Sequence, residues 1–454
     1  MTVLPRAKLR ALSAAVICLG VSACTHYSRS PLASPADTLA PPDLALLSAE
    51  AQRIERPFLT AQAIDLSRPL TLNAVAVITV LESPDLKAQR AKAGVSVAQA
   101  FAARLLPDPT LQIGFDKLIS GPDVLNGFAG QIGFDLAALR TARITREAGA
   151  ATRTQVRLDV AWSEWQAASN AQLQAVRIIA LQRQIGLARA TLASAQSWLA
   201  RVQRAAGRGD VPGSDSDARR LALIDASDKA RTIERDLTAA RFELAKLMGL
   251  PPETPLFIAD PGQPPTPPPA MALSNQAIAR RLDLAALRAG YAVGEATIHQ
   301  AILQQFPNLS LTLASARDTA GNLTLGPQLG VSLPLFNRNR GAIAVASATR
   351  AQLKAEYEAR LFQTRADIAA AVAGLAVAAR QRADLIVQLP SLERYAAATA
   401  RAARRGDLSL STADSAAQSL RDRRSALALL DQQAAEQTIL LEQLSGGPSE
   451  GWNK

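Results

Sequence analysis

Side chains able to do chemistry are sparse in this chain, and they gather at three places. Gly209-Asp210-Val211 is followed by Ser214, Asp215 and Asp217, and preceded by Arg204 and Arg208. Gly406-Asp407-Leu408 is followed by Ser411 and Asp414, and preceded by Arg404 and Arg405. Acids and guanidiniums set around a tight glycine turn can attract cations, link to one another or present a docking surface. They contain no nucleophile–base pair. The third place is Cys24, behind Val21-Ser22-Ala23. Small residues before a cysteine are the setting for covalent lipid attachment.

Other chemistry is missing. The two histidines are His26, in a proline-containing stretch, and His299, in a helical pattern where it reads as a packed or solvated residue. There is no Cys-x-x-Cys, His-Glu-x-x-His, phosphate-binding Gly-rich loop or Gly-x-Ser-x-Gly. Three methionines, Met1 included, are too few for a soft-metal relay. Neighbouring acids such as Glu234 and Asp236 read as helix-surface charge. No enzyme, metal site or cofactor is expected beyond a lipid on Cys24. Net charge is +11, but the basic residues are interleaved with acids and glutamines, and aromatics are only 4% of the chain. That argues against a nucleic-acid partner.

The elements that must position these groups begin with an export signal. Arg6, Lys8 and Arg10 precede an apolar run from Ala11 to Ala23, too short to span a bilayer as a mature helix. Cleavage before Cys24 would remove the three bases and Cys18, leaving a net charge of +8 and no cysteine pair. Val21-Ser22-Ala23-Cys24 resembles the bacterial lipoprotein signal, and in lipoproteins of that type Thr25, rather than Asp, after the cysteine implies outer-membrane sorting; a plain secretory signal with an incidental cysteine is the alternative. Residues 24–70 carry several prolines and read as an extended tether with at most one short helix. Beyond the signal no apolar run of about 20 residues is found, so no membrane-spanning helix is expected, and a β-barrel is the remaining way to cross a bilayer.

The chain is written twice. Asp85-Leu86-Lys87-Ala88 returns as Asp283-Leu284-Ala285-Ala286, Leu106-Pro107 as Phe306-Pro307, and Gly209-Asp210 as Gly406-Asp407, at an offset of about 200 residues. Each copy (71–248 and 270–445) reads as a helix, a β-hairpin, a very long helix, a tip turn (207–213 or 405–411) and a returning helix, with a Pro-rich break at 249–269 and a short C-terminal tail at 446–454. Ser214 is placed to cap the first returning helix. The long helices, about 137–206 and 340–404, would each run roughly 100 Å, too long for one compact globule and suited to a coiled-coil-like tube.

The hairpins, about 109–136 and 307–335, alternate. Leu111, Ile113 and Phe115 share one face; so do Phe128, Ile132 and Phe134, then Leu309, Leu311 and Leu313, then Leu325, Leu329, Val331 and Leu333. Strands of about ten residues with one apolar face are the weak signature of a transmembrane barrel. A soluble antiparallel sheet with one wet face alternates in the same way. Membrane barrels start at eight strands, so four per chain require several chains.

The duplicated order, Leu106-Pro107 and Phe306-Pro307 entering strands, Leu333-Pro334-Leu335-Phe336-Asn337-Arg338-Asn339-Arg340-Gly341 leaving the last one, and the two Gly-Asp-apolar turns together resemble the TolC-like outer-membrane factors from about residue 70 to 445. The resemblance implies a mainly helical fold with a transmembrane β-barrel: a homotrimer closing twelve strands in the outer membrane, with long antiparallel helices forming a periplasmic tube. It implies a passive channel of a tripartite efflux system, partnered by a periplasmic adaptor and an inner-membrane pump, of the RND type. Gly209, Asp210, Val211, Ser214, Gly406, Asp407, Leu408 and Ser411 would then be adaptor-docking tips, and Asp215, Asp217, Asp414, Arg208 and Arg405 candidates for a gate, each acid becoming a ring of three. Cys24 would carry a lipid in the outer membrane. Phe336 to Ala344 resembles members serving cobalt–zinc–cadmium pumps, which points to heavy-metal cations; multidrug and type I secretion channels are the alternatives. Val211-Pro212-Gly213 departs from the family's smooth apolar tip. A pore-free periplasmic lipoprotein spacer and a soluble helical scaffold also fit the helices, but neither has use for paired amphipathic hairpins.

Overall fold

The computed structural model describes residues 27–123, 125–449 and Trp452. The chain divides into two compact units, one ending at Pro41 and one starting at Pro42. The described part of the first holds one helical turn, α1 (Pro35–Thr38), whose cap Ser34 accepts a hydrogen bond from the Asp37 amide. The signal, Cys24 and His26 lie outside the described residues. Every other described helix and strand belongs to the second unit.

Asp43 caps α2 (Leu44–Ala51), and Thr71 caps α3 (Leu72–Glu82). Pro84 opens α4 (Pro84–Ala102), where its missing N–H is no loss. Then come β1 (Thr110–Asp116), β2 (Gly127–Asp135), α5 (Ala137–Gly207) and α6 (Gly213–Leu247). The second copy runs α7 (Ala270–Arg280), α8 (Leu282–Leu303), β3 (Asn308–Arg317), β4 (Leu323–Ser332), α9 (Arg340–Arg405) and α10 (Leu410–Ser445). At 71 and 66 residues, α5 and α9 are about 107 and 99 Å long. Pro390 lies inside α9, where it removes one helix hydrogen bond.

The largest core lies at mid-height. Nearly all of α3 is buried, with Val75, Val77 and Ile78 against Ala171, Ala175 and Ile178 of α5 and Leu244 of α6. Leu47, Ala51, Ile64 and Leu70 join it. The expectation of an extended tether to residue 70 with at most one short helix is therefore corrected: α1 and α2 both form, and Leu47, Ala51, Phe58, Ile64 and Leu70 are buried. The interval between Pro42 and Pro57 leaves room for two helical turns, and Leu47 and Ala51, one turn apart, give them an apolar face. The Pro-rich break pairs with the same segment: the Leu70 amide donates to Phe257 O (2.7 Å) and the Ala259 amide to Leu70 O (2.8 Å).

Two smaller expectations also shift. The helix expected to run to Leu106 ends at Ala102, because Pro107 disfavours helical backbone just before it. The expectation that no segment could span a membrane as a helix fails by length and composition: α9 contains an 18-residue window of mean hydropathy 1.3, 28% of it buried. Its apolarity comes from the alanine-rich stretch 368–379. Ile368, Ala371 and Leu375 there pack in a core with Leu273 of α7 and Leu441 of α10.

The four strands form one antiparallel sheet in the order β1-β2-β3-β4. Its register puts Leu111 opposite Ile132, Ile132 opposite Leu313, and Leu311 opposite Leu329. One face is thus mostly apolar and exposed, from Leu111, Ile113 and Phe115 through Phe128 to Leu325, Leu329 and Val331, with Ser315 and Arg317 the polar side chains of β3 on it. The opposite face carries Gln112, Gln131, Thr312 and Gln328, and Gln131 donates to Gln112 across β1 and β2. The long helices pack in the order α6-α5-α10-α9, with no substantial packing between α6 and α9. Sheet and helical layer are both open at their ends.

Candidate functional site

The two helical tips have the same construction. The Gly209 amide donates to Ala206 O (3.0 Å) and the Asp210 amide to Ala205 O (2.9 Å). In the second copy Gly406 donates to Ala403 O (3.2 Å) and Asp407 to Ala402 O (3.0 Å). This crossed pair of bonds is the Schellman closure of a helix, and it requires left-handed backbone at the glycine. Gly209 has φ +80 and Gly406 φ +85. Outside each glycine the flanking charges close on themselves: Arg208 Nε donates to Asp210 Oδ2 and Arg405 Nε to Asp407 Oδ2, both at 2.8 Å. All four side chains are more than half exposed.

The returning helices start differently. Ser409 caps α10 by accepting from the Thr412 amide (3.2 Å), and its hydroxyl lies 2.8 Å from that of Ser411. Ser214 does not cap α6. Pro212 occupies the cap position with no side-chain bond, and Ser214 sits inside the first turn. The residue equivalent to the working cap is a proline, so the repeat of Gly-Asp-apolar-x-x-Ser conceals a one-sided cap. Val211 is partly buried and Leu408 exposed.

The candidate gate residues do not form one cluster. Arg208 and Arg405 are held by their own turns. Asp215 and Asp217 are exposed, and Arg220 lies 3.6 Å from Asp217. Asp414 instead faces α5: it accepts from Ser194 Oγ at 2.6 Å, and Arg421 approaches at 3.9 Å. Arg421 also donates to Gln418, which lies against Thr191 of α5. The residues missed from sequence are thus Ser194, Thr191, Gln418, Arg421 and the cap Ser409. The signal that could have found Ser194 is its repeat equivalent, Ser391, since both serines stand the same distance before their tip glycines.

At mid-height the chain buries a charge that its sequence does not advertise. Glu164 of α5 is 1% exposed and receives Arg56 (3.1 Å, Nη2 to Oε1) and Arg90 (2.8 Å). Burial pushes its pKa up, but the hydrogen bonds from Arg56 and Arg90 and their charges outweigh that and hold it below the usual carboxylate range. Beside it Phe58 stacks on Trp165, rings 4.8 Å apart. Asp283 and Arg281 form a second buried pair at 2.7 Å, with Arg281 over Trp162. Arg56 and Arg90 tie their segments to α5, and Arg360 of α9 adds a second guanidinium on Asp283 at 3.3 Å. His299 is exposed on α8, and among the described residues no group of histidines, cysteines and acids could hold a metal ion.

Residues 273–447 match the sequence family described as Outer membrane efflux protein. Comparison with curated proteins returns no match. Solved structures share the fold over most of the chain. The CusC structure, reported for transmembrane channel formation, is 18% identical, with a TM-score of 0.66 over 87% of this chain and 97% of that one. The outer membrane protein VceC from Vibrio cholerae is 17% identical (TM-score 0.67, 83% and 96%). The CmeC outer membrane channel of Campylobacter jejuni is 14% identical (TM-score 0.68, 83% and 85%). At these identities the likeness establishes the fold. It is the fold class the sequence implied, long helices with four strands contributed to a barrel.

Proposed function

We propose that this chain, whose residues 273–447 match the Outer membrane efflux protein family, is the outer-membrane channel of a tripartite efflux system, a passive conduit with no catalytic step. Three copies close a twelve-stranded barrel, the helices extend into the periplasm, and the tips at Gly209 and Gly406 meet a periplasmic adaptor and an inner-membrane pump, of the RND type. The carrying observation is the sheet. Its one face is mostly apolar and exposed, interrupted by Ser315 and Arg317, its other face is polar, and each edge strand is paired on one side only. Strands β3 and β4, at ten residues each, have the length a tilted membrane strand needs. An open, exposed apolar sheet is an aggregation hazard in water, and closure by further copies in lipid removes both the edges and the exposure.

Lipid attachment at Cys24 and heavy-metal cations as cargo belong to the same reading. Both rest on the sequence, the first on the signal and the second on the Phe336–Ala344 stretch. The tips supply the docking turn, with gate candidates Asp215, Asp217 and Asp414 near it. The deciding experiment is a deletion strain challenged with zinc, cobalt, cadmium, nickel and copper beside drugs and detergents. Sensitivity to metals alone, restored by the intact gene, is the expected result. Sensitivity to drugs alone would overturn the cargo and leave the channel. A monomeric, water-soluble product that never enters the outer membrane would overturn the channel itself.

A further inference from the structure

The apolar face of the sheet ends in cations. Along β3 the side chains on that face run Leu309, Leu311, Leu313, Ser315 and Arg317, so polarity rises toward the β3–β4 turn. Along β1 they run Leu111, Ile113 and Phe115, and Lys117 is next in the alternation, one residue past the end of the strand. The two cations are repeat partners. Each stands ten residues after the proline that precedes its strand, Pro107 or Pro307. The register places Phe115, Phe128, Arg317 and Leu323 in one row across the four strands. Lys117 is two strands from Arg317 and one pleat nearer the hairpin tip, which sets the Cα atoms about 12 Å apart.

The charges at this end of the sheet are sorted. Lys117 and Arg317 are exposed and have no hydrogen-bond or ion-pair partner among the described residues. The nearby acids are engaged or turned away. Asp318 accepts from the Asn322 amide (2.7 Å) and from its side chain (2.8 Å) inside the β3–β4 turn. Asp123 accepts from the Thr319 hydroxyl, which joins the two hairpin tips. Asp116 belongs to the polar face, opposite Gly127. At its tip end the apolar face therefore presents two unneutralised cations and, among the described residues, no carboxylate. An apolar surface with cations at one rim matches the boundary between lipid tails and lipid phosphates. Phe115, Phe128 and Leu323 meet the acyl region, and the long Lys and Arg stems carry their charges out to the headgroups. A guanidinium takes two phosphate oxygens at once, and an ammonium adds a point charge.

We infer that Lys117 and Arg317 form a binding site for the phosphates of a membrane lipid on the outward face of the sheet. Two cations about 12 Å apart suit a headgroup carrying two phosphates, so the ligand class is the bisphosphorylated glycolipid of an outer leaflet, not a phospholipid with one phosphate. The site rests on the channel reading, which puts the helices in the periplasm and the hairpin tips at the outer surface. It adds which lipid the rim selects and which side chains hold it. These cations neutralise the phosphates directly, in place of the divalent ions that bridge one glycolipid to the next.

Native mass spectrometry of the full chain purified from outer membranes tests it. The probes are lipid A bearing two phosphates, its phosphate-free form and inorganic phosphate. Wild type is expected to retain the bisphosphorylated lipid as an adduct. Lys117→Gln with Arg317→Gln is expected to lower the retained fraction by about 10- to 30-fold. Lys117→Arg with Arg317→Lys keeps both charges and is expected to keep the adduct. Lys229→Gln with Arg231→Gln removes two exposed cations from α6 and is expected to change nothing. Equal retention by wild type and the double glutamine variant, equal retention of the phosphate-free lipid, or a loss in the charge-keeping variant as large as in the glutamine variant would each overturn the site. Inorganic phosphate held as well as the lipid would overturn the membrane source. In all of these cases the channel reading stands, provided the chain fractionates with the outer membrane as a closed oligomer. A chain that never enters the membrane ends both.

Discussion

The tips and the mid-height belt come from the same duplicated unit but hold their charges in opposite ways. At the tips the charge pairs of the two copies match, Arg208–Asp210 and Arg405–Asp407 at 2.8 Å each, all exposed and each within its own turn. At mid-height the copies diverge. Glu164 is 1% exposed between two arginines, while the residue at its repeat position is Leu361; Trp165 is 4% exposed, while Phe362 is 75% exposed. The cause is the segment that precedes α3. It brings Arg56 and Phe58 over Glu164 and Trp165, whereas the stretch before α7 is the Pro-rich break, which holds no arginine and whose one phenylalanine, Phe257, is exposed. Duplicated parts stay alike where their surroundings are solvent and turn geometry, and part where a third element covers only one of them.

The sharpest way to break this contrast is at the belt. Glu164→Ala would leave two guanidiniums facing an apolar gap. Loss of one partner of a buried pair costs about 3–5 kcal/mol. Because Arg56 and Arg90 keep about a third of their side chains exposed, the expected loss is toward the lower end, about 3 kcal/mol, read as a lower thermal midpoint of the purified protein. The same group makes the belt acid-sensitive. Its folded pKa lies below its unfolded value of about 4.3, so its contribution is present above that pH and is lost as pH falls through the folded value. Wild type is expected to lose stability below about pH 4.3 more steeply than Glu164→Gln, while Leu361 variants leave the acid limb unchanged. Equal acid limbs in wild type and Glu164→Gln would remove the belt's charge from the argument.

A smaller effect is expected at the tips, and it should be equal in the two copies. Nothing lies within 4 Å of a Cβ added at Gly209 or Gly406, so a side chain there costs only backbone strain, about 1–2 kcal/mol. Gly209→Val and Gly406→Val are expected to raise hydrogen exchange at the Asp210 and Asp407 amides by about 5- to 30-fold, with the belt unaffected. Unequal responses would show that the two tips are not the same turn. The caps then separate them. Ser409→Ala should cost about 1 kcal/mol of local stability at the start of α10, and Pro212→Ser should add up to a similar amount at α6. Exchange at the Thr412 and Asp215 amides reads both.

Much of this was legible in the sequence, and the reasons are local. Alternation at Leu111, Ile113 and Phe115 fixes a strand face without knowledge of neighbours, and Gly-Asp after a long alanine-rich helix fixes a left-handed closure. What was not legible depends on parts far apart in the chain. Glu164 looks like any helix-surface acid until Arg56 and Arg90 arrive from 108 and 74 residues away. Ser214 looks like a cap because the motif repeats, and only the backbone shows that Pro212 has taken that place. Asp217 and Asp414 read as equals from spacing, yet their side chains are 74% and 25% exposed because only Asp414 has α5 beside it within the same chain.

The smallest effect is the most discriminating. Arg208→Ala and Arg405→Ala each remove an exposed pair two residues apart, worth about 0–1 kcal/mol, since both side chains are solvated and the turn is already closed by backbone bonds. Neither variant is expected to change the thermal midpoint or the exchange of the Asp210 and Asp407 amides. Each frees one carboxylate, so the charge shown by the tip shifts toward negative while its shape is kept. If the proposed adaptor docking at the tips depends on shape, resistance in the complemented deletion strain stays at the wild-type level. If it depends on charge, resistance falls, and Arg208→Lys or Arg405→Lys restores it. A fall in resistance together with a lowered midpoint would instead show that these pairs bear structural weight, and the contrast between solvated tips and a charged, buried belt would have to be withdrawn.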